Sequence, residues 1–187
     1  KPIQWRDILN ALMKRIGLLS DTHSYLDQGI EKHFANCDEI WHAGDIGTVA
    51  VTDTLAKWKP LRAVYGNIDG DKLRVIHPEN QLFELEGVKV LITHIGGYPG
   101  RYTARVRELI QKERPKLYIC GHSHILKVVY DKKYECLHMN PGAAGTHGFH
   151  LVKTLLRFTL DAGNIKDLEV VELGKRTENT PMFGSFT

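Results

Sequence analysis

Short apolar runs recur along this chain, and several of them close on Asp, Asn or His. Runs of this length, bounded by polar residues, read as buried strands rather than helices. The first is Ile16-Gly17-Leu18-Leu19, closed by Ser20-Asp21-Thr22-His23. After it, Leu26, Ile30 and Phe34 share a helical stripe, 38–41 reads as a second strand, and Val51, Leu55 and Trp58 stripe a second helix that Pro60 terminates. A third strand is expected over 61–65. This β-α-β-α-β order predicts a parallel sheet with right-handed crossovers.

The pattern then changes. Segments 81–85 and 88–93 flank Glu86-Gly87 and predict a hairpin. The loop Gly96-Gly97-Tyr98-Pro99-Gly100 leads into a helix with Thr103 as its cap, Tyr102, Val106, Leu109 and Ile110 on its stripe, and Pro115 at its end. From Leu117 onward only strands are expected: 117–120, 125–130, 135–139, 150–160 and 165–173, the last two joined by Asp161-Ala162-Gly163-Asn164. The fold class is therefore α/β, with two sheets packed face to face and helices outside. Upstream, Trp5, Ile8, Leu9 and Leu12 form an amphipathic stripe. Residues 1–13 are read as an N-terminal extension, native or vector-derived, and 14–187 as one domain whose tail after Leu173 is loose.

A length of 187 residues suits one domain with a sizeable core, and 42% hydrophobic with 25% charged residues excludes the disordered and membrane classes. A net charge of +3 is too mild to argue for nucleic acid, and no basic stripe with interleaved aromatics lines a polynucleotide path. Cys37, Cys120 and Cys136 are odd in number and form no CxxC pair, so a reducing, cytoplasmic setting is expected. No apolar run approaches the ~20 residues of a spanning helix, and the N-terminus lacks the apolar region of a signal peptide.

Candidate chemistry sits at the strand ends. Asp21 and His23 close the first run, Asp45 the second, Asn67 the third and His94 the run 90–93, while His122 and His124 follow the run 117–120. Ligands gather beyond the carboxyl ends of strands in α/β sheets, so these seven side chains converge on one expected site. Carboxylate, amide and imidazole donors without thiolate suit Mn²⁺, Fe²⁺ or Zn²⁺ and argue against a cysteine-rich structural zinc. Seven donors exceed one divalent ion and fit two that share a carboxylate. Two such ions against two Asp carboxylates leave roughly +2, or about +1 with a bridging hydroxide, a charge that attracts a phosphate ester. Ions roughly 3.5–4 Å apart could activate the hydroxide and clamp phosphoryl oxygens for in-line attack.

The blocks Asp21-Thr22-His23, Gly44-Asp45, Gly66-Asn67-Ile68-Asp69, Thr93-His94 and Gly121-His122-Ser123-His124, in this order, resemble the signature of calcineurin-like metallophosphoesterases. Spacing and length resemble the small single-domain bacterial and archaeal phosphodiesterase branch, and Asn140-Pro141-Gly142 resembles a further motif of it. The resemblance spans about 14–173. It implies a four-layer α/β/β/α sandwich and a dinuclear centre of Mn²⁺, with Fe²⁺, Zn²⁺ or Ni²⁺ as alternatives. Asp21, His23 and His124 would hold one ion, Asn67, His94 and His122 the other, and Asp45 would bridge. Asn67 and His94 take the catalytic positions, Asn67 also orienting phosphate.

This sequence departs from the family pattern at two places. Many relatives carry His after the motif Asn, as a proton donor to the leaving group; here Ile68 stands there. Small bacterial relatives often carry a second His two residues after the His94 position, where this chain has Gly96. His147 and His150 are candidates for the missing acid. His42 reads as a packed residue that supports a ligand, and Asp69 equally as a support or a turn residue. Arg101, Arg105, Tyr98 and Tyr102 read as a solvated helix face with packed tyrosines. The resemblance implies a hydrolase of a small phosphate ester. A protein-interaction scaffold, as in the retromer coat relative, and a nuclease are the alternatives. Neither membrane nor nucleic acid is expected as a partner, and self-association is left open.

Overall fold

The computed structural model describes residues 13–176, so the extension expected over 1–13 lies outside the described residues except for Met13, which belongs to the first strand, and the end of the tail lies outside them too. Strands β1 (Met13–Leu19), β2 (Glu39–His42) and β3 (Leu61–Ala63) are parallel, joined through helices α1 (Ile30–Phe34) and α2 (Val49–Trp58). On the other side of β1 lies β9 (Val152–Asp161), antiparallel, with β10 (Asn164–Lys175) hairpinned to it. The sheet order is thus β10-β9-β1-β2-β3.

The second sheet is ordered β4-β5-β6-β8-β7, from β4 (Asn80–Leu85), β5 (Val88–Thr93), β6 (Leu117–Ile119), β7 (Leu126–Asp131) and β8 (Cys136–Pro141). The β4–β5 pair is the expected hairpin, Leu85 facing Val88 across the turn. β5, β6 and β8 run parallel, and β7 closes the edge antiparallel.

Alternation along the strands divides the apolar side chains between layers. Ile16 and Leu18 of β1 join Val90, Ile92, Ile119 and Phe158 in one cluster between the sheets. Leu19 faces the other way, against Ile30, Phe34, Val51 and Leu55. Outside the second sheet, Val106 and Ile110 of helix α4 (Ala104–Glu113) pack on Leu91 and Tyr118. The architecture is the expected α/β/β/α sandwich of two mixed sheets. Thr103 caps α4, its side chain accepting the Val106 N–H.

Two local expectations are corrected. The first helix does not reach back to Leu26, because the Asp27 side chain accepts the Gly29 N–H and forms a turn; Leu26 enters the core from that loop. A helix α3 (Asp71–Ile76) also follows β3. Its Val75 and Ile76 are exposed, so it lacks the one-sided stripe that betrays a helix in sequence.

Candidate metal centre

The strand tips of both sheets interlock into one rim. Asp21 N–H donates to Gly44 O, His23 N–H to Asp45 O and Ser24 N–H to Ile46 O, tying the loop after β1 to the loop after β2. Gly121 N–H donates to His94 O within the second sheet, and Gly145 N–H to Asp21 O between the sheets. Gly66 must be glycine, since a Cβ there would run into the Asp45 carboxylate and backbone. Five of the expected ligands, Asp21, His23, Asp45, His122 and His124, have left-handed backbones, with φ of 54°, 47°, 53°, 68° and 57°. Such residues cost of order 1 kcal/mol or more each and concentrate where function over-determines the chain.

All seven expected side chains come together. The ligand atoms of Asp21, His23 and His124 lie within 4.8 Å of one another, as do those of Asp45, His94 and His122. Asp45 faces both groups: Oδ1 is 3.1 Å from His94 Nε2, and Oδ2 is 3.6 Å from His23 Nε2. Asn67 Oδ1 lies 3.1 Å from His94 Nε2, and Asp21 Oδ1 lies 3.1 Å from His124 Nε2.

The polarity of these contacts is informative. His94 Nδ1 is 2.8 Å from Ala43 O, a carbonyl that can only accept, so Nδ1 carries the proton. In the neutral ring, Nε2 therefore turns a lone pair toward two acceptors, Asp45 Oδ1 and Asn67 Oδ1. That arrangement is stable only around a positive charge. Burial works against an imidazolium at His94, yet the Asp45 hydrogen bond and the charges of Asp21 and Asp45 outweigh it and raise its pKa. The Asp45 carboxyl is correspondingly lowered: burial opposes its charge, and the His94 contact and the Ile68 N–H overcome that. At His23 burial prevails and lowers the pKa, so a neutral imidazole is available; its Nε2 is buried without a hydrogen-bond partner.

Supporting residues hold this rim. Asp69 accepts the N–H groups of Ile46, Gly47 and Gly66, fastening the Asp45 loop to the Asn67 loop. His42 is fully buried, which pushes its pKa down to about 4; its Nδ1 accepts the Gly44 N–H and its Nε2 donates to Thr22. The Asn140 amide donates to Gly121 O and Ser123 Oγ and accepts the Gly142 N–H, so the Asn140-Pro141-Gly142 motif braces the His122–His124 loop.

Other expected candidates fall elsewhere. Arg105 donates to Asn80, Thr93 and Ile95 O beside a cavity of about 200 Å³ that shares Asn67 and His94 with the main site. Tyr102 donates to Asp131 in the packing under α4. The main cavity, about 620 Å³, is lined by His23, Asp45, Asn67, His122 and His124 and also by Ile68, His147 and His150. Ser123, Ile125 and Phe149 line it too and were not singled out from sequence. For Ile125 and Phe149 the one sequence signal is an apolar residue in a loop rich in Gly and His, and Ser123 lies within the Gly121-His122-Ser123-His124 block.

The profile of the calcineurin-like phosphoesterase superfamily domain matches residues 13–163. The chain belongs to this superfamily. Among curated relatives, the probable metallophosphoesterase of Mycoplasma pneumoniae is 30% identical over 168 residues, covering 83% of this chain and 96% of the relative. Those of Methanothermobacter thermautotrophicus and Methanocaldococcus jannaschii are 31% and 30% identical, over 58% and 68% of this chain. The matches take in 66% and 67% of those two archaeal proteins. Among solved structures, an archaeal phosphodiesterase superposes with a TM-score of 0.66 at 22% identity, covering 84% of this chain and 99% of the other. Vacuolar Protein Sorting 29 from Cryptosporidium parvum superposes with 0.63 at 15% identity, covering 87% and 99%. At these identities the structures establish a shared fold. The superfamily uses divalent metals, and the two clusters are this chain's candidate sites for them.

Proposed function

We propose that this chain is a dinuclear-metal phosphoesterase acting on small phosphate esters, phosphodiesters foremost. The observation that carries the reading is the convergence of His94 Nε2, Asp45 Oδ1 and Asn67 Oδ1 on one point, each oxygen 3.1 Å from the imidazole nitrogen. Asp21, His23 and His124 would hold one divalent ion, Asn67, His94 and His122 the other, with Asp45 shared. The all-N/O donor set suits Mn²⁺, Fe²⁺ or Zn²⁺, and the resemblance to the superfamily puts Mn²⁺ first, with Ni²⁺ a further alternative. Bound there, the two ions supply Lewis acidity toward phosphoryl oxygens and a nucleophilic water near neutral pH.

The chain's own groups do the rest. The proton on His94 Nδ1 is held by Ala43 O, which fixes the ring with Nε2 inward. With Oδ1 of Asn67 turned to the centre, its amide NH₂ is free to donate to a phosphoryl oxygen. Asp69 keeps Asn67 and Asp45 in register by gripping both loops. The three buried free cysteines agree with a cytoplasmic setting.

A scaffold reading is favoured by the fold shared with Vacuolar Protein Sorting 29. The complete ligand set favours the enzyme. The deciding experiment is hydrolysis of a bis-aryl phosphodiester before chelation, after it, and after return of Mn²⁺. Loss and recovery are expected. Full activity in a demonstrably metal-free preparation would overturn the mechanism.

A further inference from the structure

The cavity above the two clusters, about 620 Å³, is far larger than a phosphate group and falls in the range that encloses an organic ligand. Its floor is polar, and its walls carry apolar side chains beside His147 and His150. Ile68, Ile125 and Phe149 line it while 47%, 60% and 102% exposed, and Leu151, 80% exposed, follows close by. Scattered exposed apolar residues are ordinary, but three converging on the mouth of one charged cavity mark a binding surface. They stand on separate loops, after β3, β6 and β8, rather than along one helix or strand face. A charged floor under apolar walls fits a ligand with an anionic end and an apolar end.

Phe149 is held in this position by the chain around it. Gly148 has φ of +117°, and a Cβ there would run into the His124 ring, so the loop lies directly on that side chain. His150 Nε2 bonds Gly145 O at 2.9 Å, and the His147 ring packs on His23 with centroids 4.7 Å apart. The loop base being fixed, the ring between these anchors stays in solvent on the cavity wall. A bare phenyl face forfeits burial unless a ligand covers it, and flat aromatic groups cover it best.

We propose that Phe149, with Ile68 and Ile125, is the binding surface for an aromatic group of the phosphate ester, Phe149 stacking on its ring. This rests on the phosphoesterase reading above and adds the chemical class of the substrate's organic part. The rim meets that part before or apart from any bond cleavage, so equilibrium binding reports it independently of leaving-group chemistry.

The test is calorimetric affinity of the Mn²⁺-loaded protein for phenylphosphonate and methylphosphonate, which share one anionic head. Phenylphosphonate is expected to bind about tenfold or more tightly, and Phe149→Ala to cut that ratio about five- to tenfold. Phe149→Leu, which keeps apolar bulk without a ring, should cut it nearly as far. Equal affinities in the unmodified protein would overturn the proposal and leave the phosphoesterase reading standing. A ratio preserved in Phe149→Leu would overturn the stacking assignment. Failure of both phosphonates to bind the metal-loaded protein would sink the underlying reading as well. A rim change that altered self-association in ultracentrifugation but not the phosphonate ratio would make the rim a protein contact, and the proposal would fall.

Discussion

Lys153 Nζ stands 2.8 Å from Asp27 Oδ2, with the lysine side chain only 1% exposed. The same ammonium lies 3.4 Å from Tyr25 Oη, so β9 pins the loop that leaves Asp21-Thr22-His23. Burial raises the Asp27 carboxyl, but the Lys153 hydrogen bond and the Gly29 N–H bring it below its usual 3.8. Burial lowers Lys153, but the Asp27 and Tyr25 contacts bring it above its usual 10.5. A depressed carboxyl contributes stability that is full above 3.8 and lost as pH falls through the folded value. A raised lysine contributes stability that is full below 10.5 and lost as pH rises through its folded value. Asp27→Asn strands the buried ammonium and should cost about 2–3 kcal/mol, below the range for a fully enclosed pair. Urea denaturation at pH 7 and pH 3 checks this: the gap between variant and parent should shrink at pH 3.

Asp69 accepts three backbone N–H groups in a buried corner. Asp69→Ala leaves them without a partner and should cost roughly 3 kcal/mol or more, since each unsatisfied buried donor costs about 1–3 kcal/mol. Because those donors belong to the Asp45 and Asn67 loops, Mn²⁺ affinity should also fall, by about 10–100-fold. Thermal denaturation with and without Mn²⁺, together with a metal titration, separates the two effects. Unchanged metal affinity would confine Asp69 to a folding role.

Asp45 turns one oxygen to each cluster, whereas Asp21 belongs to one. Asp45→Ala should therefore lower occupancy at both sites, and Asp21→Ala should mainly empty one. Elemental analysis of the two purified variants gives the stoichiometry directly. Two ions retained by Asp45→Ala would remove its bridging role.

Ile68 offers no proton although its N–H is 3.1 Å from Asp45 Oδ1 and its side chain lines the cavity. A positioned acid is worth typically ~10²–10⁴-fold when the departing oxygen is strongly basic. In single-turnover measurements with chemistry rate-limiting, aryl diesters should therefore greatly outpace matched alkyl diesters. Ile68→His should narrow the gap. Equal rates in the unmodified protein would show that another group, such as His147 or His150 on the same wall, already donates the proton.

The central strands and the ligand set were legible because each ligand-bearing strand is a short apolar run whose polar closing residue falls at the rim. Asn67, His94 and Asp45 could be named before their contacts were known, and Thr103 as a helix cap likewise. What stayed hidden depends on distant parts of the chain. Lys153 lies in a strand pattern as an ordinary exposed charge, and only Asp27, far away in sequence, makes its burial tolerable. Helix α3 escaped because Val75 and Ile76 face water. Leu26 misled in the opposite sense: it keeps the spacing of a helical stripe, but the Asp27 turn places it in a loop. Phe149 had no readable role without the position of Gly148 against His124.

The left-handed backbones at Asp21, His23, Asp45, His122 and His124 bear on how this sheet rim would drift in a lineage released from catalysis. With no ion to reward them, those five positions would carry conformational strain alone, and glycine, which enters that region at little steric cost, would become the favoured replacement. Asn67 and His94, absent from the left-handed set, would be under no such pressure and could persist as relics. Scattered glycines at the five strained positions beside a surviving Asn and His would therefore be the fossil of a lost centre. None of the five is glycine in this chain.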